Sequence, residues 1–180
     1  RDIVLSNESS ANESNIAGTE VNHQYSKSYA FECDFAKYAE RNLVPDIRYF
    51  SLLRPFSELQ IAKQFADYPQ YHKTFRSCNR GSKQNIWCGK CAKCLFVFSI
   101  LSPFMEYARL CELFGADMLD DGELLADFDG LCGFSAVKPF ECVGTVSEIV
   151  FALHKTVEKF RAAGKTLPVL LQHFAETAGE

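Results

Sequence analysis

Four thiols stand in Cys78-Asn-Arg-Gly-Ser-Lys-Gln-Asn-Ile-Trp-Cys88-Gly-Lys-Cys91-Ala-Lys-Cys94, a C-x9-C-G-K-C-x2-C pattern within seventeen residues. Zinc takes four thiolates at about 2.3 Å in a tetrahedron. The chain must turn tightly to bring them to one point, and Gly89 has no Cβ to resist a positive φ. Cys91 and Cys94, three apart, can face one point from the first turn of a helix. The apolar run Leu95–Leu101 continues that helix, and Lys83, Lys90 and Lys93 offset part of a tetrathiolate's charge. An iron–sulfur cluster, metal-free thiols and two disulfides are the other readings. A metal with four protein ligands has no open position, so it is structural and not catalytic.

Other chemistry-bearing residues come in three groups. Asn7-Glu8 and Asn12-Glu13 repeat in the polar run Ser6–Asn15. His23, Gln24, Tyr25, Ser26 and Lys27 put donors, acceptors and a cation on five consecutive positions. Such a mixture suits an anionic, hydrogen-bonding substrate, although surface loops also carry polar groups. Lys138, Glu141 and Cys142 lie in the glycine-containing stretch Gly130–Thr145, expected to be a loop before a helix, where free amides can bind anions. Asp120, Asp121, Asp127 and Asp129 can attract a divalent ion, but an acidic run is more often a solvated face. Gly164-Lys-Thr166 lacks the earlier glycine of a phosphate-binding loop.

The elements that must position these groups are legible in part. Ile3–Leu5 reads as a short buried strand, entered directly from Arg1 as in a fragment of a longer chain. Phe31, Phe35, Tyr38 and Ala39 repeat at helical spacing to about Asn42. Asp46–Leu53 reads as a second strand with Arg54 at its end, the ligand edge of an open α/β sheet. Ser57-x-x-Gln60 and Thr145-x-x-Glu148 are capping boxes. Pro103 is expected to start a helix with Phe104, Ala108, Cys111 and Phe114 on its buried face, ended by Gly115. A short helix is expected around Leu124 and Leu125, and a last one from Pro168. Strand–helix–strand–helix implies a parallel α/β unit.

Composition sets limits. The 180 residues are 47% hydrophobic with sixteen Phe, enough for a core. A net charge of -4 argues against a nucleic-acid or membrane-surface partner. No apolar run reaches the length of a bilayer span. Eight cysteines with a CxxC cluster and no visible signal peptide read as a reduced, cytoplasmic, metal-binding chain.

The cysteine element resembles the zinc site of 7-cyano-7-deazaguanine synthase, an ATP-pyrophosphatase-type enzyme. SNESSANESN, GTEVNHQYSKSYAFE, the cysteine element and KPFECVGT together resemble the UDP-N-acetylmuramoyl-L-alanyl-L-glutamate epimerase family. That resemblance implies α/β architecture: a partial parallel sheet of an ATP-pyrophosphatase-like (adenine nucleotide alpha hydrolase) fold with a zinc-bound four-cysteine element. Residues 1–102 would be the C-terminal half of that domain, and 103–180 a helical region packed on it. It also implies ATP and magnesium, which activate the terminal L-glutamate of UDP-MurNAc-L-Ala-L-Glu as an adenylate before the α-carbon is inverted. The SGGxDS-type ATP loop is not in this sequence, so an N-terminal half of the same enzyme is an expected partner.

The proton chemistry can be reasoned separately. Activating the carboxylate removes its negative charge and acidifies the α-proton, and inversion needs removal on one face with delivery on the other. Cys142 and His23 are the candidates that work at neutral pH. Lys27, Arg54 and Lys138 suit carboxylates and phosphates. Glu8 and Glu13 suit magnesium or substrate orientation, and Asn7, Asn12, Gln24, Tyr25 and Ser26 suit substrate binding. Two other functions fit the same residues: an ATP-dependent synthetase of the deazaguanine nitrile-forming type, and a zinc-stabilised interaction module.

Overall fold

A computed structural model describes residues 1–43 and 46–179. Strands β1 (Asp2–Leu5) and β2 (Arg48–Ser51) pair in parallel, with Ile3 opposite Tyr49. Helix α1 (Tyr29–Asn42) connects them, as a parallel pair requires. The strand at Ile3–Leu5 forms, but it is not buried: Ile3 is 45% and Val4 51% exposed. Among the described residues the sheet has only these two strands, so little covers that face. Helix α1 also differs from its apolar pattern. Its buried positions are Glu32 and Ala39, while Tyr38 is exposed and Phe31 and Phe35 stack on each other near the surface.

The core lies elsewhere. Helix α4 (Ala92–Leu101) buries every residue except Lys93. A helix that is apolar all round must be enclosed. The enclosing helices are α2 (Glu58–Ala66), α5 (Tyr107–Phe114), α6 (Leu125–Cys132) and α7 (Val146–Ala162). Helix α3 (Pro69–His72) leads into the cysteine stretch, and α8 (Val169–Ala178) packs on α7. One apolar cluster runs from Ala62 through α4 to Phe174. No helix is long and apolar enough to cross a membrane among the described residues.

Local signals explain most boundaries. Both capping boxes form, on Ser57 with Gln60 and on Thr145 with Glu148. The helix expected from Pro103 starts instead at Tyr107, because the Glu106 carboxylate accepts the amides of Ala108 and Arg109. Gly115 ends it at φ 70°. Helix α6 runs on through Cys132, so Gly130–Cys132 are helical and not loop. Cys132 packs in the core, and Gly133 at φ 73° makes the stop.

Candidate active site and cysteine cluster

Two tight turns assemble the cysteine cluster. Gly89 takes φ 65°, and Cys91 caps α4, its Sγ accepting the Cys94 amide at 3.4 Å. The Gly81 amide donates to the Cys78 sulfur. The Sγ atoms of Cys78, Cys88, Cys91 and Cys94 all lie within 4.8 Å of one another, and none is in a disulfide. Cys91 and Cys94 are 3.4 Å apart, Cys88 and Cys94 3.7 Å. A zinc tetrathiolate with bonds of about 2.3 Å has sulfurs about 3.8 Å apart, so the quartet fits a metal ion. The close Cys91–Cys94 sulfur contact lowers the Cys91 thiol and raises that of Cys94. Lys90 is held by carboxylates. Its ammonium lies 2.8 Å from both Asp121 and Glu123. Three more acids of the run are engaged within the fold: Asp117 accepts from Tyr107, Asp120 from the Val169 amide and Asp129 pairs with His173.

The cluster reaches the KPFEC loop through Glu141. Its carboxylate accepts the Lys93 amide in the first turn of α4 at 2.9 Å. The next residue, Cys142, lines a hollow of about 280 Å³ with Asn7, Glu8, Gln24 and Lys27. Lys27 Nζ donates to Cys142 Sγ at 2.8 Å, and Gln24 Nε2 donates to the Val143 carbonyl at 2.9 Å. Asn15 stitches the segments together: its amide group donates to Pro139 O, accepts the His23 amide, and its carbonyl accepts the Lys138 amide. A single bridge between Ile16 and Val137 reinforces the seam. Thus three stretches far apart in sequence converge on one polar hollow.

The other candidates sit differently. Lys138 is 6% exposed, and its ammonium lies 2.5 Å from Glu13 and 2.9 Å from the Gly144 carbonyl. Glu13 in turn accepts the Val146 amide at the start of α7. Arg54 is clamped on Glu32, 2.6 Å away, and donates to the Glu8 and Lys27 carbonyls. Burial alone raises the Glu32 carboxyl, but the Arg54 hydrogen bonds and the Ser51 amide outweigh it and hold it below its usual range. Glu8 faces the hollow, yet its carboxylate already accepts the Ser10 amide and hydroxyl. His23 is exposed and lies edge-on to Phe140, outside the lining of the hollow. Ser26 is exposed. Asn12 and Tyr25 line a separate surface groove.

One lining residue escaped the sequence reading. Glu58, the first residue of α2, places Oε2 wholly inside the protein with no hydrogen-bond partner. Burial, then repulsion from Glu8 and Glu148, pushes its carboxyl up to about 8 against the pull of Lys93 and Lys27. It borders both the polar hollow and an adjoining apolar one of about 420 Å³ lined by Leu53, Ile61 and Phe65. The only sequence signal was an acid just inside a helix start, which reads as an ordinary favourable first-turn charge.

Fold and site therefore define a mixed α/β protein with a parallel strand pair, a helical core built on a cysteine quartet, and a hollow offering a thiol, a lysine and a carboxyl. Family models for the MurL N-terminal domain and the MurL C-terminal domain match residues 1–52 and 74–179, and the chain belongs to the MurL family. The UDP-N-acetyl-alpha-D-muramoyl-L-alanyl-L-glutamate epimerase of Xanthomonas oryzae pv. oryzae is 50% identical over 150 residues, 79% of this chain and 33% of its own length. The protein of the same name from a Micromonospora species is 40% identical over 163 residues, 87% of this chain and 36% of its own. The chain thus spans about a third of the length of the curated relatives it matches. No solved structure matches it.

Proposed function

We propose that this chain forms part of a cytoplasmic epimerase that inverts the terminal L-glutamate of UDP-MurNAc-L-Ala-L-Glu to D-glutamate, a step in building the peptidoglycan precursor. The observation that carries the reading is the Lys27–Cys142 pair in the polar hollow, 2.8 Å apart, in a chain whose relatives bear the epimerase name. The thiolate is the form of a cysteine that takes a proton, and the Lys27 ammonium lies directly beside this sulfur. Gln24 and Glu141 hold the loop that carries it, so the thiol has a fixed position. The Asn7 amide in the lining would meet a carboxylate of the substrate. Arg54, Lys138 and Glu13 are given structural parts, as the braces of the two polar segments.

ATP with magnesium, when bound, supplies the activation of the terminal carboxyl group that makes the α-proton removable. No ATP contact is assigned to this chain, which lacks the SGGxDS loop; the grip belongs to the remaining two thirds of an enzyme of the relatives' length. The ATP-pyrophosphatase-like sheet is part of the same reading. Zinc is assigned to Cys78, Cys88, Cys91 and Cys94, where it anchors α4 and, through Lys93 and Glu141, the Cys142 loop.

The test uses the full-length enzyme with UDP-MurNAc-L-Ala-L-Glu, ATP and magnesium. Released glutamate is resolved by chiral chromatography. Cys142→Ala is expected to abolish D-glutamate formation while the protein keeps its metal and its melting transition. An unchanged rate would overturn the role of Cys142, and a parallel assay with a deazaguanine carboxylic acid and ammonia that yields the nitrile, while UDP-MurNAc-L-Ala-L-Glu yields no D-glutamate, would overturn the epimerase reading.

A further inference from the structure

Inversion at a carbon needs one group to take a proton and a second, on the other face, to return one. The sequence offered His23 as partner to Cys142, but His23 is exposed and outside the hollow. Within the hollow the acids and bases are few. Lys27 is engaged with the Cys142 sulfur and Glu8 with Ser10, and Lys93, also in the lining, is a cation facing Glu58. Glu58 is different: Oε2 is buried without a partner, beside the hollow. An unpaired buried carboxyl is costly to keep, and groups of this kind concentrate where they are used. A structural role needs no carboxyl here, since glutamine fills the same volume.

We propose that Glu58 is the second proton-transfer group of the site, serving the face of the glutamyl α-carbon opposite Cys142. This rests on the epimerase reading given above. The Cys142 thiolate takes the α-proton and becomes a thiol, leaving the electron pair of the C–H bond on carbon, spread into the activated carboxyl group. The Glu58 carboxylic acid gives its proton to the other face, where that pair forms the new C–H bond, and Glu58 is left as carboxylate. Loss of the thiol proton to solvent and uptake of one by Glu58 reset the pair. The charges facing Glu58 come from four elements: Glu8 after β1, Glu148 on α7, Lys93 on α4 and Lys27 from the second polar segment. The acids and burial favour its neutral form, and the two lysines stabilise the carboxylate left after transfer.

The full-length enzyme with ATP and magnesium is placed in D2O, with the L- and D-glutamyl diastereomers of the substrate supplied separately. Deuterium at the α-carbon and configuration are both measured. Wild type is expected to exchange and invert both. Glu58→Gln should invert about a hundredfold more slowly or worse, yet still exchange deuterium into one diastereomer without inverting it. Cys142→Ala should exchange only the other. Inversion at the wild-type rate in Glu58→Gln, or equal loss of exchange from both diastereomers, overturns the assignment. Should Glu58→Gln not melt like wild type, Glu58→Asp gives the same reading: one-sided exchange supports the role, two-sided exchange with unimpaired inversion refutes it. A wild-type enzyme that changes neither diastereomer overturns the epimerase reading itself, and Glu58 with it.

Discussion

Lys138 is the sharpest test of whether a candidate residue braces the site or binds in it. Its ammonium is 6% exposed, 2.5 Å from Glu13 and hydrogen-bonded to the Gly144 carbonyl. Lys138→Met keeps the apolar stem and removes the charge. Glu13 then has no cation, and the Gly144 carbonyl loses its donor. Breaking a fully buried pair costs about 3–5 kcal/mol. The Glu13 side chain is 31% exposed, so solvent relieves part of that, and about 2 kcal/mol is the better figure. Because Glu13 also caps α7 at Val146, the loss should appear as local opening there. About 2 kcal/mol corresponds to roughly 30-fold faster amide exchange over residues 143–149. Hydrogen exchange with mass spectrometry on the full-length protein reads this directly. Adding Glu13→Gln should recover part of the protection, since the stranded charge is gone. Unchanged exchange in Lys138→Met would show that the lysine is not a brace and is free for substrate.

Three further outcomes are expected. The Glu58 carboxyl, raised from 4.5 to about 8, stays protonated in the fold where the unfolded chain has ionised; its contribution is therefore full below about 4.5 and is lost as pH rises to about 8, so Glu58→Gln should flatten the fall in melting temperature across that window. In Gly144→Ala the new Cβ would stand 2.7 Å from Glu58 Oε2 and 2.9 Å from the Phe96 ring; a loss of about 1–3 kcal/mol is expected, read from chemical denaturation, and wild-type stability would show that the loop yields. Cys91→Ser should lower metal content from one ion per chain, measured by elemental analysis, and should also slow epimerisation through the Lys93–Glu141 link, whereas a catalytic metal would leave no residual rate.

What the sequence disclosed was local. The cysteine spacing placed four sulfurs at one point, because two tight turns and one helical turn leave little freedom. Both capping boxes formed where Ser57 and Thr145 stand. The meeting of Asn7, Glu8, Gln24, Lys27 and Cys142 followed from chemistry concentrated in three segments. What stayed hidden depends on partners far along the chain. Glu32 carries no mark of burial in its own segment; it is buried because Arg54, 22 positions on, folds over it. Glu13 and Lys138 are 125 residues apart, and no spacing rule joins them. Ile3 and Val4 have strand propensity, but propensity does not say what covers a sheet face.

Glu148 binds two helix starts with one carboxylate. One oxygen takes the Leu59 amide of α2, and the other takes Thr145 at the head of α7. The two ends are thereby yoked, and neither can shift without pulling on the other. Anything that moves the KPFEC loop must therefore drag Glu58 along. The spacing of the two groups assigned to the proton thus depends in part on an anion that is neither in the lining of the hollow nor one of the four cysteines. Shortening that yoke to aspartate offers a way to mis-space the two groups while leaving both chemically intact.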